Sequence, residues 1–136
     1  MKNSEIFRKA LIIFTAGMLV FTLNVGAQQK PWSVPEQFIS MKNQVAKDNT
    51  GKKAGMALYV KNCASCHGRE GLGDGVIART LKDFPGDFSS GAYQGQTDGE
   101  QFYKTKSGRG EMPKYEGKLT DEEIWYIVNY MRSFKK

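Results

Sequence analysis

Asn62-Cys63-Ala64-Ser65-Cys66-His67-Gly68 decides the reading of this 136-residue chain, because it holds both of its cysteines and its only histidine. A structural disulfide between Cys63 and Cys66 explains little, since closing so small a loop removes little chain entropy. A redox dithiol of this spacing belongs beside a βαβ pattern, and no strand-like alternation of any length is present. A structural zinc site needs four protein ligands, and after Cys63, Cys66 and His67 the chain has no further Cys or His to offer. What remains is the Cys-x-x-Cys-His signature of covalent haem c attachment. On a short helical turn the two sulfurs reach two vinyl groups along one porphyrin edge, and the adjacent imidazole becomes the proximal iron ligand. Cys63 and Cys66 are therefore the expected thioether residues, His67 the expected iron ligand, and one haem c the expected cofactor.

A single histidine excludes bis-histidine ligation within the chain. A methionine thioether is the usual second axial ligand and raises the reduction potential. Past the N-terminal segment the methionines are Met41, Met56, Met112 and Met131. Met56 and Met131 fall in predicted helices and read as adaptable core fillers. Met41 lies in an arm with no feature to hold it over a haem. Met112 follows Gly108-Arg109-Gly110-Glu111 and precedes Pro113, in a loop with no helical face to serve. Met112 is the expected axial ligand; the competing reading is an exposed or packed loop methionine.

Working outward, the spacing of Ala54, Ala57, Leu58 and Tyr59 predicts a helix over 52–62 that runs into the motif, with Asp48-Asn49-Thr50-Gly51 as a loop before it. Residues 68–110 are rich in glycine and read as loops with short helical pieces over 76–81 and 98–105. Gly71-Leu72-Gly73-Asp74-Gly75 follows no strand and opens no βαβ unit, so it reads as a haem-edge loop rather than a nucleotide loop. The last helix has Thr120 as N-cap and Glu123 completing a capping box. Acidic residues at its start and basic ones at its end suit the helix dipole, and Ile124, Ile127, Val128 and Met131 form its apolar stripe. Trp125 on this helix reads as packing. The class is all-α.

At the N-terminus, Lys2, Arg8 and Lys9 precede an apolar run over 10–25, and Val25-Gly26-Ala27 offers small residues at a cleavage site. That pattern predicts a secretory signal peptide over 1–27; the competing reading is an uncleaved membrane anchor through residues 10–25. Cleavage removes Lys2, Arg8, Lys9 and Glu5, and lowers the net charge from +6 to +4. Residues 28–50, with Pro31 and Pro35, predict an extended arm, in which Phe38, Ile39, Met41 and Val45 allow a short amphipathic helix over 36–46. Trp32 either docks this arm onto the domain or is a partly exposed anchor. A mild positive charge favours acidic partners; with no basic helix or nucleic-acid module, nucleic acid is not among them.

The chain resembles the class I c-type cytochromes, specifically the small bacterial single-haem domains, over roughly 51–134. Gly55 and Tyr59 stand eight and four residues before Cys63, where the family places a glycine and an aromatic on its N-terminal helix. Ile127-Val128-Asn129-Tyr130-Met131-Arg132 is similar to the family's C-terminal helix, and Gly108-Arg109-Gly110-Glu111-Met112-Pro113 to its methionine-bearing loop. Many relatives have a proline after the Gly-Asp-Gly of residues 73–75, where this chain has Val76. The resemblance implies a cytochrome c fold, with N- and C-terminal helices crossing at Gly55 and long loops wrapping one covalently bound haem. It also implies a backbone carbonyl, often a proline's, beside the proximal imidazole; Pro85 is one source. The domains expected are thus a signal peptide over 1–27, an arm over 28–50 and a cytochrome c domain over 51–136.

The function this implies is single-electron carriage with His67/Met112 ligation, not enzymatic, in the periplasm or at the periplasmic face of the inner membrane. Redox proteins with acidic docking surfaces are the expected partners, steered by Lys104, Lys106, Arg109, Lys114 and Lys118 if these ring the haem edge. The rival for those cations is an ordinary solvated surface. Two alternatives to a free carrier are a haem c subunit of a larger oxidoreductase complex, docked through the arm, and an open-site haem peroxidase or sensor.

Overall fold

In the computed structural model, which describes residues 31–45 and 47–136, the order is α1 (Glu36–Ile39), α2 (Asn49–Asn62), α3 (Ala64–His67), α4 (Gly91–Gln94), α5 (Asp98–Ser107) and α6 (Asp121–Met131). Short 3-10 turns occupy Ala78–Thr80 and Arg132–Phe134. Among the described residues there is no strand, only isolated bridges pairing Arg109 with Met112 and Glu116 with Leu119. The signal-peptide expectation over 1–27 lies outside the described residues.

Side-chain caps set most helix starts. Asp48 accepts a hydrogen bond from the Gly51 amide, so Asn49–Gly51 is the first turn of α2 rather than the expected loop. Thr120 and Glu123 form the expected capping box of α6, and Thr97 with Glu100 forms a second one that starts α5. Ser90 caps the unpredicted single turn of α4. The helix expected over 36–46 is shorter, Glu36–Ile39, with Ala46 outside the described residues.

The main packing is α2 across α6. At Gly55 a Cβ would run into the Tyr126 carbonyl, so only hydrogen fits where the two backbones cross. That contact explains a glycine whose place mid-helix otherwise costs about 1 kcal/mol against Ala. Tyr59, one turn on, is fully buried against Tyr130, Phe134 and Phe88. Ile124, Ile127, Val128 and Met131 are all buried, as the stripe predicts. Trp125 is 3% exposed and stacks on Phe102 of α5 at 4.2 Å, so it packs α5 to α6. Met56 departs from the expectation of a core role: it is 49% exposed, because Gly55 and Tyr59 occupy the face of α2 turned to α6 and residue 56 points away.

Candidate haem site

Cys63 caps α2, and its backbone turns the chain directly into the single helical turn α3, which ends at His67. A helix leaves its last carbonyls without intrahelical partners. Here the glycine-rich loop supplies them in reverse order: the Gly73, Gly75 and Ile77 amides donate to the His67, Cys66 and Ser65 carbonyls at 2.9, 3.2 and 3.1 Å. The Tyr59 hydroxyl donates to the Gly68 carbonyl at 2.8 Å, tying the turn to the core. This is the work of the glycines the sequence placed beside the motif. The same pairing sets Val76, 91% exposed, and Ile77, 42% exposed, next to α3 as uncovered apolar side chains.

His67 is buried and its ring stacks on Phe88 at 4.5 Å. Its Nδ1 is buried without a hydrogen-bond partner. Burial lowers the imidazole's pKa to about 4, against a smaller opposing pull from the Pro85 carbonyl. The neutral ring is the form that binds a metal. Cys63 and Cys66 are both free. Burial, and secondarily Cys66, pushes the Cys63 thiol up to about 12, the opposite of the lowered value that activates a dithiol oxidoreductase.

Met112 sits in a two-residue turn where Arg109 and Met112 exchange backbone hydrogen bonds of 3.0 Å each. Two directed contacts seat the turn. The Tyr115 hydroxyl donates to the carbonyl of Asn62, the residue before Cys63, at 2.5 Å. On the other side, the Lys82 amide donates to the Glu111 carboxylate at 2.6 Å. The phenol of Tyr115 is raised to about 12, first by burial and then by the charges of Cys63 and Cys66. The segment that follows Met112 is thus tied to the residue that precedes the attachment motif.

Residues 51–131 match the family model described as Cytochrome C oxidase, cbb3-type, subunit III. The chain belongs to this family of c-type cytochromes. Cytochrome c6 from Anabaena variabilis is 36% identical over 78 residues, which are 57% of this chain and 84% of that protein. Cytochrome c-553 from Desulfomicrobium norvegicum is 34% identical over 80 residues, covering 59% of this chain and 95% of its own. Among solved structures, KustC0563 c-type cytochrome is 31% identical with a TM-score of 0.53, covering 60% of this chain and 98% of its own. The protein is accordingly a haem-binding electron-transport cytochrome with covalently attached haem c and an all-α cytochrome c fold.

The residues of this cytochrome fit that group: two free thiols at the attachment spacing, a neutral buried imidazole with an unpartnered Nδ1, and apolar side chains left uncovered beside the motif. Its cations are less available than their clustering in sequence implies. Lys106 pairs with Asp121 at 2.7 Å, Lys104 donates to Gln96 at 2.7 Å, and the Arg109 guanidinium lies over Trp32. Lys114, mostly exposed, stands 3.9 Å from Glu116. Tyr115, Glu111 and Phe88 went unrecognised in the sequence because their partners are distant in it; the Thr97–Glu100 capping box was readable from its spacing alone.

Among the described residues no helix is long and apolar enough to cross a membrane.

Proposed function

We propose that this cytochrome is a single-electron carrier in which Cys63 and Cys66 form the thioethers and His67 and Met112 are the two axial ligands. The observation that carries the reading is the Tyr115–Asn62 hydrogen bond, which ties the methionine loop to the attachment motif. When bound, haem c supplies a one-electron iron couple whose potential depends on axial ligands, burial and hydrogen bonding. The chain supplies the rest. Burial keeps His67 neutral, the Pro85 carbonyl lies near its ring, and the Phe88 stack restricts ring rotation. Tyr115 and Glu111 keep the Met112 turn closed, which denies substrate or oxygen an open position.

The domain plan that accompanies this reading is a signal peptide over 1–27, an arm over 28–50 and the haem domain over 51–136, with the exported protein in the periplasm. N-terminal sequencing of the exported chain tests it: Gln28 as first residue is expected, and an intact Met1 in the membrane fraction overturns it. Partners with acidic docking surfaces are favoured by exposed Lys114; an electron-transfer rate independent of salt removes that preference. The description of the matching family as an oxidase subunit favours a second reading, a subunit of a larger complex. Co-purification with membranes after signal cleavage selects it over a free carrier.

Absorption spectra of the haem-loaded ferric and ferrous protein, with Met112→Ala, test the ligation. A low-spin ferric spectrum with a weak far-red Met–iron charge-transfer band, lost in the variant, is expected. A high-spin ferric spectrum in the unmutated protein overturns the carrier reading and moves it to peroxidase or sensor chemistry.

A further inference from the structure

The arm before α2 packs along α5 in the opposite direction. Its later residues hold the start of α5: Lys47 bonds Asp98 at 2.9 Å, and Asn43 reaches Asp98 and, at 2.8 Å, Asn129 of α6. Its middle lies over the body of α5. At Gly99 a Cβ would meet the Phe38 carbonyl and Met41, and the Phe38 ring sits 4.7 Å from that of Tyr103. Its first described residues reach past the end of α5, where the Arg109 guanidinium lies 4.5 Å above the Trp32 ring.

Arg109 is one of the two residues that close the Met112 turn, through both of its backbone hydrogen bonds to Met112. The indole therefore rests on the residue paired with Met112, a contact distinct from those made by Tyr115 and Glu111. A guanidinium over a Trp face is a strong cation–π pairing, and here it joins the arm to a residue of the Met112 turn. We propose that Trp32 is a positioning residue for the Met112 loop: its stack on Arg109 fastens the N-terminal arm to the turn and resists displacement of Met112 from the iron. The arm is then a strap within the protein rather than an element for docking to a partner. This rests on the reading of Met112 as an axial ligand.

The test uses the haem-loaded, full-length ferric protein and imidazole, a small exogenous ligand that competes with a methionine for iron. Wild type, Trp32→Ala, Trp32→Phe and Met112→Ala are titrated while the far-red band and thermal midpoint are followed. Trp32→Ala is expected to bind imidazole about two- to fivefold more tightly than wild type. Trp32→Phe, with a weaker cation–π face, is expected to fall between the two, and both keep the far-red band without imidazole. Imidazole affinity unchanged in Trp32→Ala, with the band present in wild type and absent in Met112→Ala, overturns the strap and leaves the ligation intact. A wild type that lacks the band overturns the ligation and the strap with it. If Trp32→Ala does not fold, Trp32→Phe alone decides: affinity equal to wild type overturns the proposal, and tighter binding supports it.

Discussion

The His67 side and the Met112 side of the cytochrome are built by different means. His67 lies one turn beyond a helix that crosses α6 in close contact at Gly55, and the loop immediately after it caps three of its turn's carbonyls. Nearly everything holding it is within a few residues in sequence or is main chain. Met112 lies in a turn closed by its own main-chain bonds with Arg109, but tied to the rest of the protein by single side-chain contacts from far along the chain: Tyr115 to Asn62, Glu111 to Lys82, and Trp32 to Arg109. The first arrangement yields only when the core yields. The second can loosen while the core stays intact, which makes the methionine side the adjustable half of the proposed site.

The largest effect is expected where the covalent frame of the His67 side is removed. The double variant Cys63→Ala, Cys66→Ala loses all covalent haem, read by mass spectrometry of the denatured protein; retained covalent mass would show that attachment lies elsewhere. Next is Gly55→Val, whose side chain meets a main-chain carbonyl of α6 and cannot be accommodated by a rotamer change. Overpacking of this kind costs about 2–3 kcal/mol, a fall in the thermal midpoint of roughly 10–20 °C for a domain of this size. An unchanged midpoint would mean that the helices do not cross there.

Tyr115→Phe probes the other half and should act locally. It leaves the Asn62 carbonyl without its donor, a loss of about 1–2 kcal/mol. Hydrogen exchange should quicken at the Arg109 and Met112 amides and stay slow in α2 and α6. Exchange that quickens everywhere equally would break the contrast between the halves.

The smallest effect is expected at Asp98, where the arm, α5 and the Arg132 side chain meet. Burial by itself raises this carboxyl, but bonds from Lys47 and Arg132 outweigh it and hold its pKa below the ordinary value. A carboxyl depressed on folding contributes stability that is fully present above its unfolded value of about 3.9 and disappears as pH falls through the lower folded value. Asp98→Asn should therefore be less stable by about 0.5–1 kcal/mol at neutral pH, with the gap closing in acid. A gap that persists at about pH 2 would assign the loss to packing rather than charge.

Much of the His67 side was legible in the sequence. Its information is local: a five-residue attachment motif, a glycine and an aromatic at fixed offsets before it, glycines just after it, and a capping box with an apolar stripe for α6. Local spacing controls local geometry, so these readings survive folding. The start of α2 was misread because Asp48 could equally open a loop, and its cap is recognisable only with the Gly51 amide in place. Met56 was misread because an apolar residue on a helix carries no label for which face meets a partner; the crossing at Gly55 decides it.

The amino-acid order by itself determined the class of cofactor, the residues available to hold it, and the two helices that frame it, because each depends on neighbours within one or two turns. Only the tertiary structure decided which carbonyl lies beside His67, that Tyr115 and Glu111 seat the methionine turn, and that the N-terminal arm runs back along α5 to place Trp32 on Arg109. Those contacts join residues separated by 18 to 77 positions. No periodicity or motif encodes such a pairing; it exists only once the core has brought the two stretches of chain together.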